Sequence, residues 1–261
     1  MRIIFVRHGE PDYTKDSLTE KGWREARFLA ERISKWRVTD FYCSPLGRAR
    51  DTASCTLEKL NRKAVTLDWM KEFAYDIEDP VNGKRGIPWD FVPSCWTSDP
   101  LMLDTEAWTK GGIMRTNPQI AAAYQEVCES FDRLLSSYGY VRDGHFYRMP
   151  QAKERFIPRT YSPANPNALD AIPDSSKEPV IVIFCHLGIT CLVLSYLLNI
   201  AFPALVHGFF LPTSSITVLS SEERWSNEAY FRVQTIGDVQ HLLANHEPVS
   251  SAGSFTTAFQ G

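Results

Sequence analysis

The sequence has no apolar run near the roughly 20 residues needed to span a bilayer. Its opening, MRIIFVRHGE, is charged at once and lacks the long apolar stretch and cleavage site of a signal peptide. A cytoplasmic protein with no membrane partner is the expectation. Charge of one sign is also missing: 28 Lys and Arg stand against 31 Asp and Glu, a net charge of -3. No global basic field therefore points to nucleic acid. The six cysteines, at 43, 55, 95, 128, 185 and 191, include no CxxC pair. Free buried thiols are expected rather than a disulfide framework or a zinc site. No internal repeat or low-complexity domain is visible.

What is present is unevenly placed. Residues 1–63 hold 14 basic and 9 acidic side chains, a local +5, and 11 of the 16 prolines lie between 80 and 179. Before and after that stretch the patterning is regular. Arg2–Val6 and Asp40–Cys43 read as short strands, and Ala64–Leu67 as a third. Between them, Trp23, Ala26, Leu29, Ala30 and Ile33 recur at helical spacing, as do Ala49, Thr52, Ala53, Leu57 and Leu60 after Ser44-Pro45. The alternation predicts βαβ units around a largely parallel sheet. From about Asp76 the periodicity fails. A helix is expected where Ile120, Tyr124, Val127, Phe131 and Leu134 share a face, then a hairpin at Asp143-Gly144, then a loop over 158–179. Val180–Cys185 is a buried strand leading into an apolar helix, Gly188–Leu198. Ser215–Leu219 and Tyr230–Thr235 suit later strands, and Asp238–Ala244 a short helix.

Chemistry collects at three strand ends. Arg7, His8, Gly9 and Glu10 follow the first strand, and open α/β sheets build sites at such carboxyl edges. Arg48 falls in the first turn of the helix after the second strand, where a guanidinium and free amides can meet an anion together; Arg50 is assigned to the surface. His186 follows VIVIFC at the third. Two arginines and two histidines around one point make poor core material and a good clamp for a dianion.

With these motifs the chain resembles the histidine phosphatase superfamily, the phosphoglycerate mutase-like fold. The resemblance rests on RHGE at 7–10, LTEKG at 18–22, SPLGRARDTA at 44–53 and CHLG at 185–188, with SSITVL at 214–219 and GDVQHL at 237–242. It covers the first and last thirds and leaves out the middle. It implies a three-layer α/β/α sandwich with a mostly parallel central sheet, forming a single domain over 1–261 with a substrate-specificity insertion at about 73–178. It also implies a metal-independent phosphomonoesterase, without cofactor, acting on a small phosphorylated metabolite. His8 would be the nucleophile that becomes phosphohistidine, and Arg7, Arg48 and His186 would hold the phosphoryl oxygens. Met70-Lys71-Glu72 matches the family's L-x-E pattern and makes Glu72 the proton donor, with Asp76, Glu78 and Asp79 as rivals. Glu10 is expected to order the site.

Family mutases carry a longer segment between RHGE and the L-T-x-x-G motif; here only PDYTKDS intervenes. Hydrolysis is therefore favoured over the alternative, mutase-type phosphoryl transfer. A non-catalytic phospho-ligand binder would be expected to lack His8 or His186, and both are present. In the middle segment Trp89, Trp96 and Trp108 are candidates for an apolar wall over the phosphate, or for packing the insertion. Arg85, Arg115 and Arg148 are candidates for reading further negative charge. The aromatic content leaves a homodimer open.

Overall fold

The structure, a computed structural model, describes residues 1–150, 178–224 and 227–260. Most of the loop expected over 158–179 lies outside these residues. Among the described residues the chain builds an eight-stranded sheet: β1 (Arg2–Arg7), β2 (Asp40–Cys43), β3 (Val65–Thr66), β4 (Val141–Asp143), β5 (Phe146–Arg148), β6 (Val180–Cys185), β7 (Ile216–Arg224) and β8 (Glu228–Asp238). The order across the sheet is β3-β2-β6-β1-β7-β8-β5-β4. Strands β3, β2, β6 and β1 run parallel. Their runs, RIIFV and VIVIFC, are apolar on consecutive positions because both faces are covered. Beyond β1 the sheet continues antiparallel through β7, β8, β5 and β4. The expected parallel sheet thus forms the half that carries the strand-end motifs. The other half is made of hairpins, whose short turns join only antiparallel neighbours.

Helices cover both faces. On one side α1 (Glu20–Ile33) and α2 (Gly47–Leu60) bury Leu29, Ile33, Ala49 and Ala53 against Ile4, Val6, Phe41, Val182 and Phe184. On the other, α3 (Gln119–Ser137) and α4 (Leu187–Leu198) pack with Ile3, Phe5, Ile181 and Ile183. The side chains of β1 alternate between the two cores, as a pleated strand in a three-layer sandwich must. Helix α4 is buried nearly all round, which accounts for its lack of a polar stripe. The same core takes in Met70, Phe73, Met102, Trp108 and Met114 from the irregular segment, which is a succession of single 3-10 turns and the short helical turn Ser94–Thr97. Two further helices, α5 (Phe202–Gly208) and α6 (Gln240–Leu243), complete the fold. No helix among the described residues is long and apolar enough to cross a membrane.

The six cysteines are free. Burial pushes the thiols of Cys43, Cys128 and Cys185 up to about 12, so these act as small apolar side chains.

Candidate active site

The carboxyl ends of β1, β6 and β2 meet at one place because the three strands are neighbours in register. Arg7 lies opposite Cys185, and Phe184 opposite Cys43. Each strand then releases its next residue at the same level. His8 and His186 are 2% and 0% exposed, with ring centroids 5.1 Å apart.

His8 is held on both sides of its backbone, its N–H donating to Cys185 O and its carbonyl accepting from Ser214 N. Its Nδ1 lies 2.7 Å from Gly9 O. A carbonyl only accepts, so Nδ1 carries the proton and Nε2 keeps its lone pair. Burial first, then the charges of Arg7 and Arg48, hold the imidazole well below its ordinary pKa. His186 is lowered for the same reasons, burial first, with His8 next and the two arginines after it. Its Nε2 shares a 2.7 Å hydrogen bond with Ser44 Oγ, and its Nδ1 is buried with no partner.

The arginines are anchored from behind. Arg7 donates through Nη1 to Leu211 O and through Nη2 to Ala252 O, leaving a buried Nε unpartnered. Arg48 donates through Nη1 to Asp16 Oδ1 at 2.6 Å, lies 5.4 Å from the Tyr13 ring centroid and also keeps a buried, unpartnered Nε. Asp16 accepts Gly47 N through its other oxygen. The N-cap residue of α2 is Leu46, which cannot cap with its side chain, so Asp16 caps this helix from a distant turn. Arg50 is exposed, as expected.

Glu72 follows the 3-10 turn Asp68–Met70. Its Oε1 accepts from Phe73 N at 2.9 Å and from Ile189 N at 3.0 Å, in the first turn of α4 beside His186. Among the described residues its Oε2 has no hydrogen-bond partner. A Cβ on Gly188 would stand 2.8 Å from Glu72 Oε1, so glycine follows His186-Leu187 to admit the carboxylate. The rivals sit elsewhere. Asp76 and Glu78 are exposed, and Asp79 caps the turn at Val81 and Asn82.

The residues of the middle segment separate. Trp89 is half-buried, edge-on to Phe202, and its Cη2 lies 3.4 Å from the position a Gly188 Cβ would take. Trp96 stacks on His207 with centroids 4.0 Å apart. Trp108 is wholly buried among Phe73, Tyr124 and Phe202 and belongs to the core, not to a wall. Arg85 donates to Asp76 O, and Arg115 is exposed with its charge felt by Asp99. Arg148 does not join the site. It lies on β5, three strands from β1, and pairs with Asp143 and Glu228. Its position in a hairpin edge explains the pairing, since opposite charges across such strands are neighbours.

Behind the site stand Glu10, expected from the sequence to order it, and several residues that the sequence did not single out. Glu10 orders its surroundings, accepting from Thr19 Oγ1 at 3.0 Å and Ser250 Oγ at 2.7 Å. Thr52 accepts Gly9 N, and Glu25, wholly buried, accepts Glu10 N and Thr213 Oγ1. The spacing of LTEKG also gains a reason: Thr19 caps α1 through Gly22 N, and a Cβ on Gly22 would stand 2.2 Å from Glu10 O. Among the described residues no group of three or more His, Cys, Asp and Glu side chains is placed to hold a metal ion.

Comparison with known proteins agrees with this geometry. Residues 3–79 match the model of the histidine phosphatase superfamily, branch 1. Over 73 residues the chain is 36% identical to a 2,3-bisphosphoglycerate-dependent phosphoglycerate mutase of Thermoplasma acidophilum, covering 24% of this chain and 36% of that protein. A probable phosphoglycerate mutase of Serratia proteamaculans is 32% identical over 81 residues, 28% of this chain and 38% of that one. The matches thus span little more than a third of each relative's length. The fold likeness is wider. A phosphoserine phosphatase mutant of Entamoeba histolytica, in complex with phosphoserine, superposes with a TM-score of 0.55 at 16% identity, over 92% of this chain and 98% of that one. A mycobacterial glucosyl-3-phosphoglycerate phosphatase gives 0.54 at 18%, over 90% and 98%. Residues 3–79 thus match the histidine phosphatase superfamily model, and the chain as a whole shares its α/β fold with these two solved structures.

Proposed function

We propose that the protein is a metal-independent phosphomonoesterase that acts on a small phosphorylated metabolite through a phosphohistidine on His8. One observation carries the reading. Arg7 Nε, Arg48 Nε and His186 Nδ1 are buried without partners, all three belonging to groups whose charges are coupled to the His8 ring. Orphaned buried polar atoms cost about 1–3 kcal/mol each, and a phosphoryl group would satisfy them together.

In the proposed reaction Nε2 of neutral His8 attacks phosphorus. The N–P bond forms as the P–O bond to the alcohol breaks, and Glu72 delivers a proton to the departing oxygen. Water then attacks the phosphohistidine, giving its proton to Glu72 as the N–P bond breaks and inorganic phosphate leaves. Arg7, Arg48 and His186 oppose the charge that develops on the phosphoryl oxygens. We place the whole chain in one catalytic domain, with the segment at about 73–178 as its specificity insertion. Trp89, the insertion tryptophan beside Gly188, is its candidate contact with the alcohol.

Metal-free protein should hydrolyse an aryl phosphate, and His8→Ala should abolish turnover; undiminished activity in that variant would sink the covalent mechanism. Both curated relatives bear mutase names, which supports carrying phosphoryl transfer as a second reading. Against it, Pro11–Ser17 folds as a tight turn between the pairs Pro11–Leu18 and Asp12–Ser17, and its Asp16 is engaged by Arg48. Incubation with a phosphoglycerate decides between them. Free phosphate supports hydrolysis, and isomer without phosphate supports the mutase.

A further inference from the structure

Glu25 is a carboxyl group with no exposure at all, on the inner face of α1. Its two oxygens join the two loops that hold the nucleophile. Oε2 accepts from Glu10 N at 2.9 Å, in the loop carrying His8, and Oε1 accepts from Thr213 Oγ1 at 3.1 Å, next to the Ser214 amide that donates to His8 O. Its charge is also felt by Arg7. We propose that Glu25 is a positioning residue for His8 whose ionisation, between the two loops that hold it, weakens the site's hold on a phosphoryl dianion. The proposal rests on the anion-binding reading of the site.

The chemistry supports a change of state in the working range. Burial outweighs the hydrogen bonds from Thr213 and Glu10 and raises the carboxyl to about 7. Facing groups act in both directions. Lys21 on the same helix favours ionisation and the Glu10 carboxylate opposes it. Arg7 feels the charges of Glu72 and Tyr13 and then that of Glu25, and Arg24, bound to Glu247, stands at the helix surface. His241, bonded to Ser214 Oγ, is buried and lowered to about 4, so it stays neutral above that. Below pH 7 the protonated carboxyl can still accept Glu10 N–H on one oxygen while donating its own O–H to Thr213 Oγ1. Both links survive and the negative charge is gone. Above pH 7 the links remain, but the charge of a buried anion acts on the same arginine that the phosphoryl group needs.

The test measures tungstate binding by full-length wild type, Glu25→Gln and Thr213→Val from pH 6 to 9. Tungstate is a phosphate-like dianion whose own charge is constant over that range. The amide of the Gln variant can accept from Glu10 and donate to Thr213, so it copies the neutral state and keeps the packing. The ratio of wild-type to Glu25→Gln affinity should be near one at pH 6 and fall several-fold by pH 8, with a midpoint near 7. Thr213→Val removes a bond that favours the ionised form, so its own fall relative to Glu25→Gln should come at higher pH. A ratio that stays constant from pH 6 to 9, or a midpoint unmoved in Thr213→Val, overturns the proposal. Failure of the wild type to bind tungstate at any pH instead overturns the anion-site reading beneath it.

Discussion

At the scale of single residues, the site is a set of groups whose free-state charges anticipate an anion. His8 and His186 are kept neutral by burial beside two guanidinium groups, and a dianion placed among them reverses that balance. Binding of tungstate near neutral pH should therefore draw protons onto the site. Calorimetry in buffers of different ionisation enthalpy should show net uptake, and a buffer-independent heat would count against it. Among the described residues Glu72 keeps one oxygen without a partner while the other is held at Ile189 N, so Glu72→Gln should slow an alkyl phosphate by about 100-fold or more while sparing a good aryl leaving group. Equal rates on both substrates would remove it as the acid. These residues were legible because strand ends mark them: Arg7 and His8 adjoin one apolar run, and His186 another. Asp16, Glu25 and Thr213 were not. Each acts through a partner 32, 15 or 188 positions away, and a lone Asp, Glu or Thr in a sequence carries no sign of which distant amide or guanidinium it serves.

Elements place these groups by close approach of backbone to backbone. Gly22 lies inside α1, where alanine would ordinarily gain about 1 kcal/mol in helix propensity. Here its added methyl would meet Glu10 O at 2.2 Å, and neither α1 nor the capped RHGE loop can yield without moving His8. Overpacking of this kind costs typically 1–3 kcal/mol or more, so Gly22→Ala should lower stability despite the propensity gain. It should also reduce turnover beyond what the lost stability explains; denaturant melts beside steady-state kinetics would check both. The parallel strands β1 and β6 could be read because burial on both faces leaves them almost uniformly apolar. The reach of β7 and β8 could not. Past Leu219, β7 runs on through Ser220, Ser221, Glu222 and Glu223, polar residues paired with Arg232, Phe231, Tyr230 and Ala229 across a hairpin whose ladder, not its apolarity, makes it a strand. The stretch from Asp76 reads as a packed irregular excursion with short helical turns, but the individual turns up to Asn117 could not be placed for the complementary reason. Each 3-10 turn holds only about two backbone hydrogen bonds, and its shape is set by the core residue it delivers, such as Met102, Trp108 or Met114.

For the whole molecule, the buried titratable groups pull stability in opposite directions with pH. The folded-state pKa of Glu25 is raised, so the native state holds the extra proton, and stability falls as pH rises from the ordinary glutamate value of 4.5 through about 7. At 1.36 kcal/mol per pKa unit, complete ionisation costs at most about 3 kcal/mol. Glu25→Gln should thus be more stable than the wild type by about 3 kcal/mol at pH 8 and by about 1 at pH 5, on the same linkage. A pH-independent difference in urea midpoints would argue against it. The lowered histidines 8, 186, 207 and 241 act the other way, favouring the fold above 6.5 and withdrawing that support as pH falls toward their folded values. A last consequence comes from the carbonyl of Ala252, which holds Arg7 across 245 positions of chain, while Arg24 clasps Glu247 nearby. Contacts that span so much sequence close late, after local helices and hairpins have formed. In refolding from denaturant, helical circular dichroism should return before turnover does, making catalysis the slowest clock in the molecule and a direct measure of when its two ends have found each other.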